Sequence, residues 1–293
     1  MNPCFFIFGF GYTANALAQK LHQLGIESIG TTRQPTTSDS DHASIGRRID
    51  FNDPEIESYL SKANYLLIST PPIPDIGDPV LSQYGELIKK HSAHIQWVGY
   101  LSSTSVYGDH QGNWVDEKSD CHPHGSSGIL RLKAEETWLA YAKANHIPLH
   151  IFRLAGIYGP DRNPIQRTDA GKKYSIFKEG QFFSRIHVDD IVSVLLASIK
   201  ASHPLSIYNV ADDEPAPSHV VDAYASWLLK RAALPLTPFE KASLSPMEKE
   251  FYSNNRQVSN LKIKQELHVA LKYPSFREGL DQIWREDFSE KYQ

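Results

Sequence analysis

The chain has 293 residues, of which 41% are hydrophobic and 22% charged, a balance typical of a globular protein with one large domain or two modest ones. Thirty basic and 34 acidic side chains give a formal net charge of −4, so the overall charge favours neither nucleic acid nor an anionic membrane as a partner. No apolar stretch approaches the roughly 20 residues of a spanning helix, no leader-like segment opens the chain, and two cysteines cannot build a disulfide framework, so we expect a cytoplasmic protein.

The first two thirds of the chain alternate between short apolar segments and amphipathic ones. Segments rich in β-branched and aromatic residues predict buried strands at 5–8, 28–32, 45–51, 65–69, 96–101, 149–153 and 207–210. Apolar residues that recur at intervals of three and four predict helices at 12–24, 55–61, 80–91, 127–145 and 188–202. This alternation predicts an α/β fold with a doubly wound parallel sheet of the Rossmann type.

The alternation breaks at 160–183 and again beyond residue 212, where Pro, Lys and Asn cluster. Helices are predicted there at 218–232, 259–266 and 275–288. We therefore expect a dinucleotide-binding domain in residues 1–160, completed by about 184–211, and a smaller, mostly helical C-terminal substrate lobe in 161–183 and 212–293. The segment 34–43, full of Thr, Ser and Asp, is predicted to be a flexible loop.

A glycine-containing turn follows the first predicted strand. Residues 8–14 read FGFGYTA and fit the Gly-x-Gly-x-x-Ala pattern of a dinucleotide-binding turn. Gly9 permits the tight turn, Gly11 lets the backbone approach a pyrophosphate, and Ala14 keeps the helix close to the sheet. The positive end of that helix faces the phosphates. The residues assigned to the cofactor at this turn are Gly9, Gly11, Tyr12 and Thr13.

The end of the second strand indicates which dinucleotide fits. An NAD site usually has a carboxylate there for the ribose hydroxyls, whereas this chain has Arg33. A guanidinium suits a 2′-phosphate, and Thr31, Thr32 or Ser38 could add hydroxyl contacts, so NADP is the first choice and NAD the second. A solvated surface arginine is the alternative. Further cofactor contacts are predicted from Asp50 at the adenine edge and from Ser69 and Thr70 beneath the ribose.

Four later segments resemble a known family, the extended short-chain dehydrogenase/reductases, which include the NAD-dependent epimerase/dehydratase-like enzymes of nucleotide sugars. Residues 101–108 (LSSTSVYG) and 152–160 (FRLAGIYGP) are similar to the signatures of its fifth and sixth strands. Residues 183–190 (FSRIHVDD) and 208–215 (YNVADDEP) are similar to the segments that follow. The resemblance runs over nearly the whole chain and suggests an atypical branch.

The resemblance implies a catalytic Ser or Thr, and a Tyr four residues before a Lys. In the family the lysine holds the nicotinamide ribose and lowers the pKa of the phenol, which moves the proton. Here Ser103 and Lys133 take the hydroxyl and lysine positions, but Ile129 stands where the tyrosine would be. Isoleucine has no proton to exchange, so the usual general acid/base is absent.

Other side chains are candidates to supply the proton. Tyr107, in the same loop as Ser103, either serves as the acid or is a packed aromatic in the pocket wall. His124, Ser126 and Ser127 precede the helix of Lys133, with a surface loop as the alternative. The one relocated Tyr-x-x-x-Lys match, Tyr174 to Lys178, is expected by chance among 14 tyrosines. Residues 121–124 (CHPH) lack the paired spacing of a zinc site, and no metal is predicted.

These residues lead to two hypotheses for the function. The first is an NADP-dependent oxidoreductase or epimerase-like enzyme for a small polar or sugar-like substrate, with Ser103 orienting the reacting oxygen and Tyr107, or a water relayed through Ser103, handling the proton. The second is a catalytically silent NADP(H) sensor or scaffold.

Lys172, Lys173 and Arg185 either meet a phosphorylated substrate or form a solvated charged loop. The resemblance also implies a homodimer through helices 80–91 and 127–145, with Leu87, Leu130, Trp138 and Tyr141 serving either that seam or the chain's own core.

Overall fold

The computed structural model describes residues 4–33, 45–201 and 203–292. The loop predicted at 34–43, and with it Ser38, lies outside these residues. The strands are β1 Cys4–Phe8, β2 Glu27–Thr32, β3 Arg47–Asp50, β4 Tyr65–Ile68, β5 Trp97–Ser103, β6 Trp114–Val115, β7 Leu149–Leu154, β8 Gly156–Tyr158, β9 Ser175–Phe177, β10 Arg185–His187, β11 Ser206–Val210, β12 Leu236–Pro238 and β13 Gln257–Val258. The α-helices are α1 Tyr12–Gln23, α2 Ile56–Leu60, α3 Pro79–Lys90, α4 Ser126–Ala144, α5 Pro164–Asp169, α6 Val188–Ser198, α7 Ser218–Leu228, α8 Pro246–Ser253, α9 Leu261–Glu266 and α10 Phe276–Ile283.

Two compact units make up the chain. The first unit comprises Met1–Ser103, Ser126–Arg153 and Val192–Tyr208, and the second comprises Thr104–Gly125, Leu154–Ile191 and Asn209–Gln293. Each unit therefore contains segments from distant parts of the sequence. The functional domain boundaries expected from the sequence stay a prediction.

A seven-stranded sheet forms the centre of the first unit, in the order β11-β7-β5-β4-β1-β2-β3. The pairs β1–β2, β1–β4, β2–β3 and β4–β5 are all parallel. Each of the seven strands predicted from the sequence lies in this sheet, and the predicted Rossmann-type α/β fold is confirmed. The chain order reverses between β1 and β4, and such a switch point is where open α/β sheets bind ligands.

The observed bounds differ from the predicted ones where local contacts intervene. Strand β3 begins at Arg47 rather than Ile45, because Gly46 has φ +88° and interrupts the extended backbone. The last predicted helix begins as expected, with Ser275 and Glu278 forming a capping box. It is α-helical only to Ile283 and continues as a π-helical turn over Trp284–Phe288.

Aromatic and branched side chains fill the core of the first unit. Trp138 is fully buried there, and Tyr141 packs against it while donating a hydrogen bond to the carbonyl of Gly85 at 2.6 Å. Leu87 also packs on this core. Because three of the four side chains considered for a dimer seam serve the chain's own core, they give that seam little support, and the homodimer stays a prediction.

The second unit contains α5 and α7 to α10, and helices α5, α7 and α10 contribute to a core that includes Tyr158, Ile165 and Phe276. It also contains three two-stranded pairs that the sequence did not predict, β8 with β10, β9 with β12 and β6 with β13. Their strands have two or three residues, too few to show an alternating pattern. In neither unit does a helix of the described chain combine the length and apolarity needed to cross a membrane.

Candidate functional site

A cavity of about 720 Å³ opens in the first unit where β1, β2, β3 and β4 end. Tyr12, Thr13 and Lys133, which the sequence also assigned to the cofactor, are not part of its wall. The wall does include six of the residues assigned to the dinucleotide, which are Gly9, Gly11, Arg33, Asp50, Ser69 and Thr70.

Gly9 provides the tight turn after β1. Its φ is +91°, and a Cβ at this position would lie 2.9 Å from the backbone nitrogen of Thr70. The N–H of Gly9 donates a hydrogen bond to Oγ1 of Thr31 at 3.0 Å. Thr31, one of the hydroxyl contacts expected for the 2′-phosphate, is buried, and its hydroxyl holds this turn.

Gly11 has the opposite environment. It is exposed and caps α1 with an extended backbone, and a Cβ there would meet no heavy atom within 4 Å. The space beside the helix N-terminus is therefore open, as a bound pyrophosphate requires. On the facing strand end, the hydroxyl of Thr70 is buried without a hydrogen-bond partner in the described part of the chain. Both observations fit a dinucleotide, because an open glycine turn and an unsatisfied buried hydroxyl suit a polar ligand.

The Phe10 ring fixes the turn from the side of the sheet. Glycines at positions 30 and 46 make room for it, since a Cβ on Gly30 would lie 2.5 Å from the ring and one on Gly46 2.9 Å from it. The Arg48 guanidinium lies 4.9 Å over the same ring and donates a hydrogen bond to Oδ1 of Asn15 at 3.2 Å. These contacts join the turn to β2, β3 and α1.

Arg33 follows the end of β2, where it is exposed and forms no ion pair with any described residue. Asp50 is paired in register with Thr32, and its Oδ1 accepts a hydrogen bond from the backbone of Asn52 at 2.8 Å. The sequence analysis missed five wall residues, which are Phe10, Phe51, Asn52, Ile73 and Pro79. Phe10 lies in the glycine turn and Phe51 and Asn52 directly follow β3, so for these three the position was a usable signal.

Ser103 is the last residue of β5, and Lys133 is exposed on α4. Ile129, one turn before Lys133, is 49% exposed. An exposed apolar side chain therefore stands where the family resemblance expects a phenol. The same helix contacts β5 through Arg131, whose Nη1 donates to the carbonyl of Leu101 at 2.6 Å.

A buried ion pair that the sequence analysis missed lies beneath this helix. Glu135 accepts hydrogen bonds from Nε of Arg153 at 3.2 Å and from its Nη2 at 2.8 Å, and both side chains are at most 5% exposed. The hydroxyl of Ser102 donates to Glu135 at 2.5 Å. Three elements, α4, β5 and β7, are thereby fixed to one another close to Ser103.

Tyr107 is fully buried in the second unit, and its hydroxyl donates to Oδ1 of Asn209 at 2.7 Å. Oε1 of Glu117 accepts from the backbone nitrogen of the same asparagine at 2.7 Å, and burial raises the pKa of Glu117. This environment favours the packed-aromatic interpretation of Tyr107. The other loop groups weighed for the proton, His124, Ser126 and Ser127, are exposed.

The relocated pair does not form. No hydrogen bond joins Tyr174 and Lys178, since Nζ of Lys178 donates to the carbonyl of Tyr252 and lies 5.1 Å over the Phe239 ring. Tyr174 instead lines a second cavity, of about 600 Å³, within the second unit. In the described residues, no group of three or more His, Cys, Asp or Glu side chains is arranged to hold a metal ion.

Comparisons with known proteins agree with this geometry. Residues 86–211 match the model of the NAD dependent epimerase/dehydratase family. Protein YeeZ of Escherichia coli K12 is 31% identical over 226 residues, which cover 73% of this chain and 77% of that protein.

Solved structures extend the comparison. A functionally unknown conserved protein from Silicibacter pomeroyi is 44% identical with a TM-score of 0.90, over 97% of this chain and 99% of that one. The dTDP-glucose 4,6-dehydratase of Bacillus anthracis, solved in complex with NAD, is 18% identical with a TM-score of 0.77, over 99% and 100% of the two chains. At that identity the likeness shows the fold alone.

Proposed function

Because the chain belongs to the NAD dependent epimerase/dehydratase family of extended short-chain dehydrogenase/reductases, we propose that it binds NADP and acts as an oxidoreductase or epimerase-like enzyme with an atypical active site. The observation that carries this proposal is the glycine-lined cavity at the sheet's switch point, with the unsatisfied hydroxyl of Thr70 in its wall. The dehydratase of similar fold was solved with NAD, which supports a nicotinamide dinucleotide here. Arg33 supports the 2′-phosphate form.

In this proposal each residue has a defined task. Gly9 and Gly11 admit the pyrophosphate, Asp50, Ser69 and Thr70 contact the adenosine and ribose, and Tyr12 and Thr13 begin the helix that faces the phosphates. Lys133 holds the nicotinamide ribose. When bound, the nicotinamide supplies hydride transfer. Ser103 orients the reacting oxygen of a small polar or sugar-like substrate.

The atypical part of the proposal is the group that transfers the proton. Tyr107 and a water relayed through Ser103 were the two candidates, and the hydrogen bond from the buried Tyr107 to Asn209 supports the water. Replacing Tyr107 by Phe should therefore leave turnover within a few-fold of wild type. A loss of the order of 10² or more in kcat would identify Tyr107 as the acid instead.

A titration with NADPH and NADH, followed by nicotinamide fluorescence and melting temperature, tests the cofactor. We expect tighter binding of NADPH, and Arg33→Gln should remove that preference while leaving NADH affinity unchanged. Arg47→Gln, the same charge change on β3 outside the cavity wall, is the control and should keep the preference. If the wild type binds neither dinucleotide, the proposed function is wrong.

A second candidate is a catalytically silent NADP(H) sensor, motivated by Ile129 at the position of the missing tyrosine. Because Ile129 is 49% exposed, Ile129→Tyr should fold normally. Activity of this variant on a panel of carbonyl compounds and nucleotide sugars, where the wild type has none, would identify an active site that lacks only its acid. Tight NADPH binding without activity in both proteins would favour the sensor.

A further inference from the structure

Phe10 lies within the glycine turn itself, between Gly9 and Gly11, and its side chain is part of the wall of the first cavity. The backbone of this turn is attached to β2 at two points. The N–H of Phe10 donates to the carbonyl of Thr31 at 2.7 Å, and the N–H of Gly9 donates to the hydroxyl of the same threonine at 3.0 Å. These bonds hold the backbone only, so the position of the Phe10 ring depends on what surrounds the side chain.

Two glycines receive the ring. A Cβ on Gly30 of β2 would lie 2.5 Å from Cδ2 of Phe10, and a Cβ on Gly46, directly before β3, would lie 2.9 Å from its Cζ. Carbon atoms in ordinary contact are about 3.5–4.0 Å apart. The ring therefore lies directly against the backbone at both positions, and a side chain at either one would displace it.

Arg48 covers the ring from β3. Its guanidinium carbon lies 4.9 Å from the ring centroid, and its Nη2 donates to Oδ1 of Asn15, in the first turn of α1, at 3.2 Å. Nε of Arg48 is buried without a hydrogen-bond partner in the described part of the chain. No carboxylate pairs with Arg48 among the residues that the structure describes.

This arrangement of Arg48 is unfavourable for stability alone, because no ion pair offsets the cost of removing the charge from water. The adjacent Arg47 shows the ordinary arrangement, since it is exposed and its guanidinium lies 5.4 Å from the ring of Tyr59. Arg48 is not itself a wall residue of the cavity. Its contact with that wall is made through Phe10.

We propose that Arg48 is a positioning residue for the dinucleotide and acts by holding the Phe10 ring against Gly30 and Gly46. A ring that is fixed in this way keeps the turn in its binding conformation before the ligand arrives, so less conformational entropy is lost on binding. Because the turn faces the pyrophosphate, which NADPH and NADH share, Arg48 should strengthen the binding of both alike. The inference rests on the proposed function for the identity of the ligand.

Fluorescence titration of the full chain with NADPH and with NADH tests this inference. Arg48→Met, which keeps the length of the side chain without its charge, should weaken both dinucleotides about fivefold or more and by the same factor. Arg48→Lys retains a cation over the ring and should recover most of the affinity. Arg47→Met, the same change on the adjacent residue, should leave both affinities unchanged. A loss confined to NADPH would make Arg48 a ligand of the 2′-phosphate and overturn the proposal.

A double-mutant cycle shows whether Arg48 acts through the ring. Phe10→Leu removes the π face and should itself weaken both dinucleotides, and adding Arg48→Met should then cause less than about a twofold further loss. An undiminished loss in that background overturns the proposal, because Arg48 would then act without the ring.

A change on α1 tests the same arrangement even if Arg48→Met does not fold. Asn15→Ala removes the acceptor that fixes the guanidinium and should weaken both dinucleotides severalfold. Unchanged affinity in the folded variants overturns the proposal while the wild type still binds NADPH. Failure of the proposed function is distinct, since the wild type then binds neither dinucleotide, and that result overturns both proposals.

Discussion

Two glycines only two positions apart perform different tasks at the residue scale. Gly9 is required by its own backbone and by the proximity of Thr70, whereas Gly11 has an ordinary backbone and open space beside it. The fold itself therefore needs glycine at the first position, whereas at the second position glycine is required only by the pyrophosphate of the proposed cofactor. Substitutions at the two sites should consequently affect different measurements.

Gly9→Ala should destabilise the protein. Alanine at φ +91° is strained, and its methyl group would lie 2.9 Å from the nitrogen of Thr70, so we expect a loss of about 1–3 kcal/mol in the free energy of unfolding. Urea denaturation measures it. Wild-type stability in this variant would contradict the observed turn geometry.

Gly11→Asp should weaken cofactor binding without destabilising the protein. Aspartate is a favourable N-cap residue and its charge suits the helix N-terminus, so the melting temperature should be unchanged or higher. The same carboxylate would repel a pyrophosphate, so NADPH affinity should fall by more than tenfold. Gly11→Asn has nearly the same size and capping ability without the charge, and should bind NADPH more tightly than the aspartate variant does.

At the element scale, the Glu135–Arg153 pair explains how α4 is fixed to the sheet. Removing one partner leaves the other charge buried and unpaired, so Glu135→Gln should cost about 3–5 kcal/mol. The adjacent Glu136 is exposed, and Glu136→Gln is the matched control with an expected change within about 0.5 kcal/mol. Chemical denaturation of both variants measures the difference. A similar stability for the two would show that the pair does not hold the helix.

The elements also show what the sequence could and could not predict. The seven strands of the sheet were predictable because buried parallel strands are continuous apolar runs, and the glycine turn because its spacing is specific. The short pairs of the second unit were not, since strands of two or three residues have no period. The ion pair of Glu135 with Arg153 was missed because a charged residue is buried only when a partner distant in sequence compensates it.

Prediction of the site was limited in the same way, because the sequence does not show which partners a side chain will contact. Arg33, Asp50, Ser69 and Thr70, which the sequence assigned to one cofactor, line one cavity because parallel strands place their carboxyl ends at one edge of a sheet. That Thr31 holds the turn of Gly9, in contrast, depends on which face of β2 its hydroxyl occupies. The catalytic assignments of Ser103, Lys133 and Tyr107 stay predictions.

At the scale of the whole molecule, stability should depend on pH through a buried histidine. His187 packs against the rings of Tyr158 and Tyr273, and its Nε2 is buried without a partner in the described chain. Burial lowers its pKa from 6.5 to about 4. Between pH 6.5 and about 4, the unfolded chain therefore binds a proton at this histidine and the folded chain does not. Stability contributed by the neutral ring is present above pH 6.5 and is lost as the pH falls toward 4.

Comparison of wild type with His187→Gln isolates this effect. Between pH 7 and pH 4 the wild type should lose up to about 3 kcal/mol more than the variant does, because glutamine does not titrate. Denaturation at a series of pH values measures both slopes. Parallel slopes would show that the histidine is protonated equally in the folded and unfolded states.

The five tryptophans are divided unequally between the two units. Trp97 and Trp138 are buried in the first unit, whereas Trp114 and Trp227 in the second unit are 56% and 66% exposed, and Trp284 is partly buried there. Indole emission shifts to longer wavelength when the ring enters water, so most of the spectral shift on denaturation should come from the first unit. Intrinsic emission is thus a label-free reporter of the first unit, and circular dichroism, which records both units, is its complement.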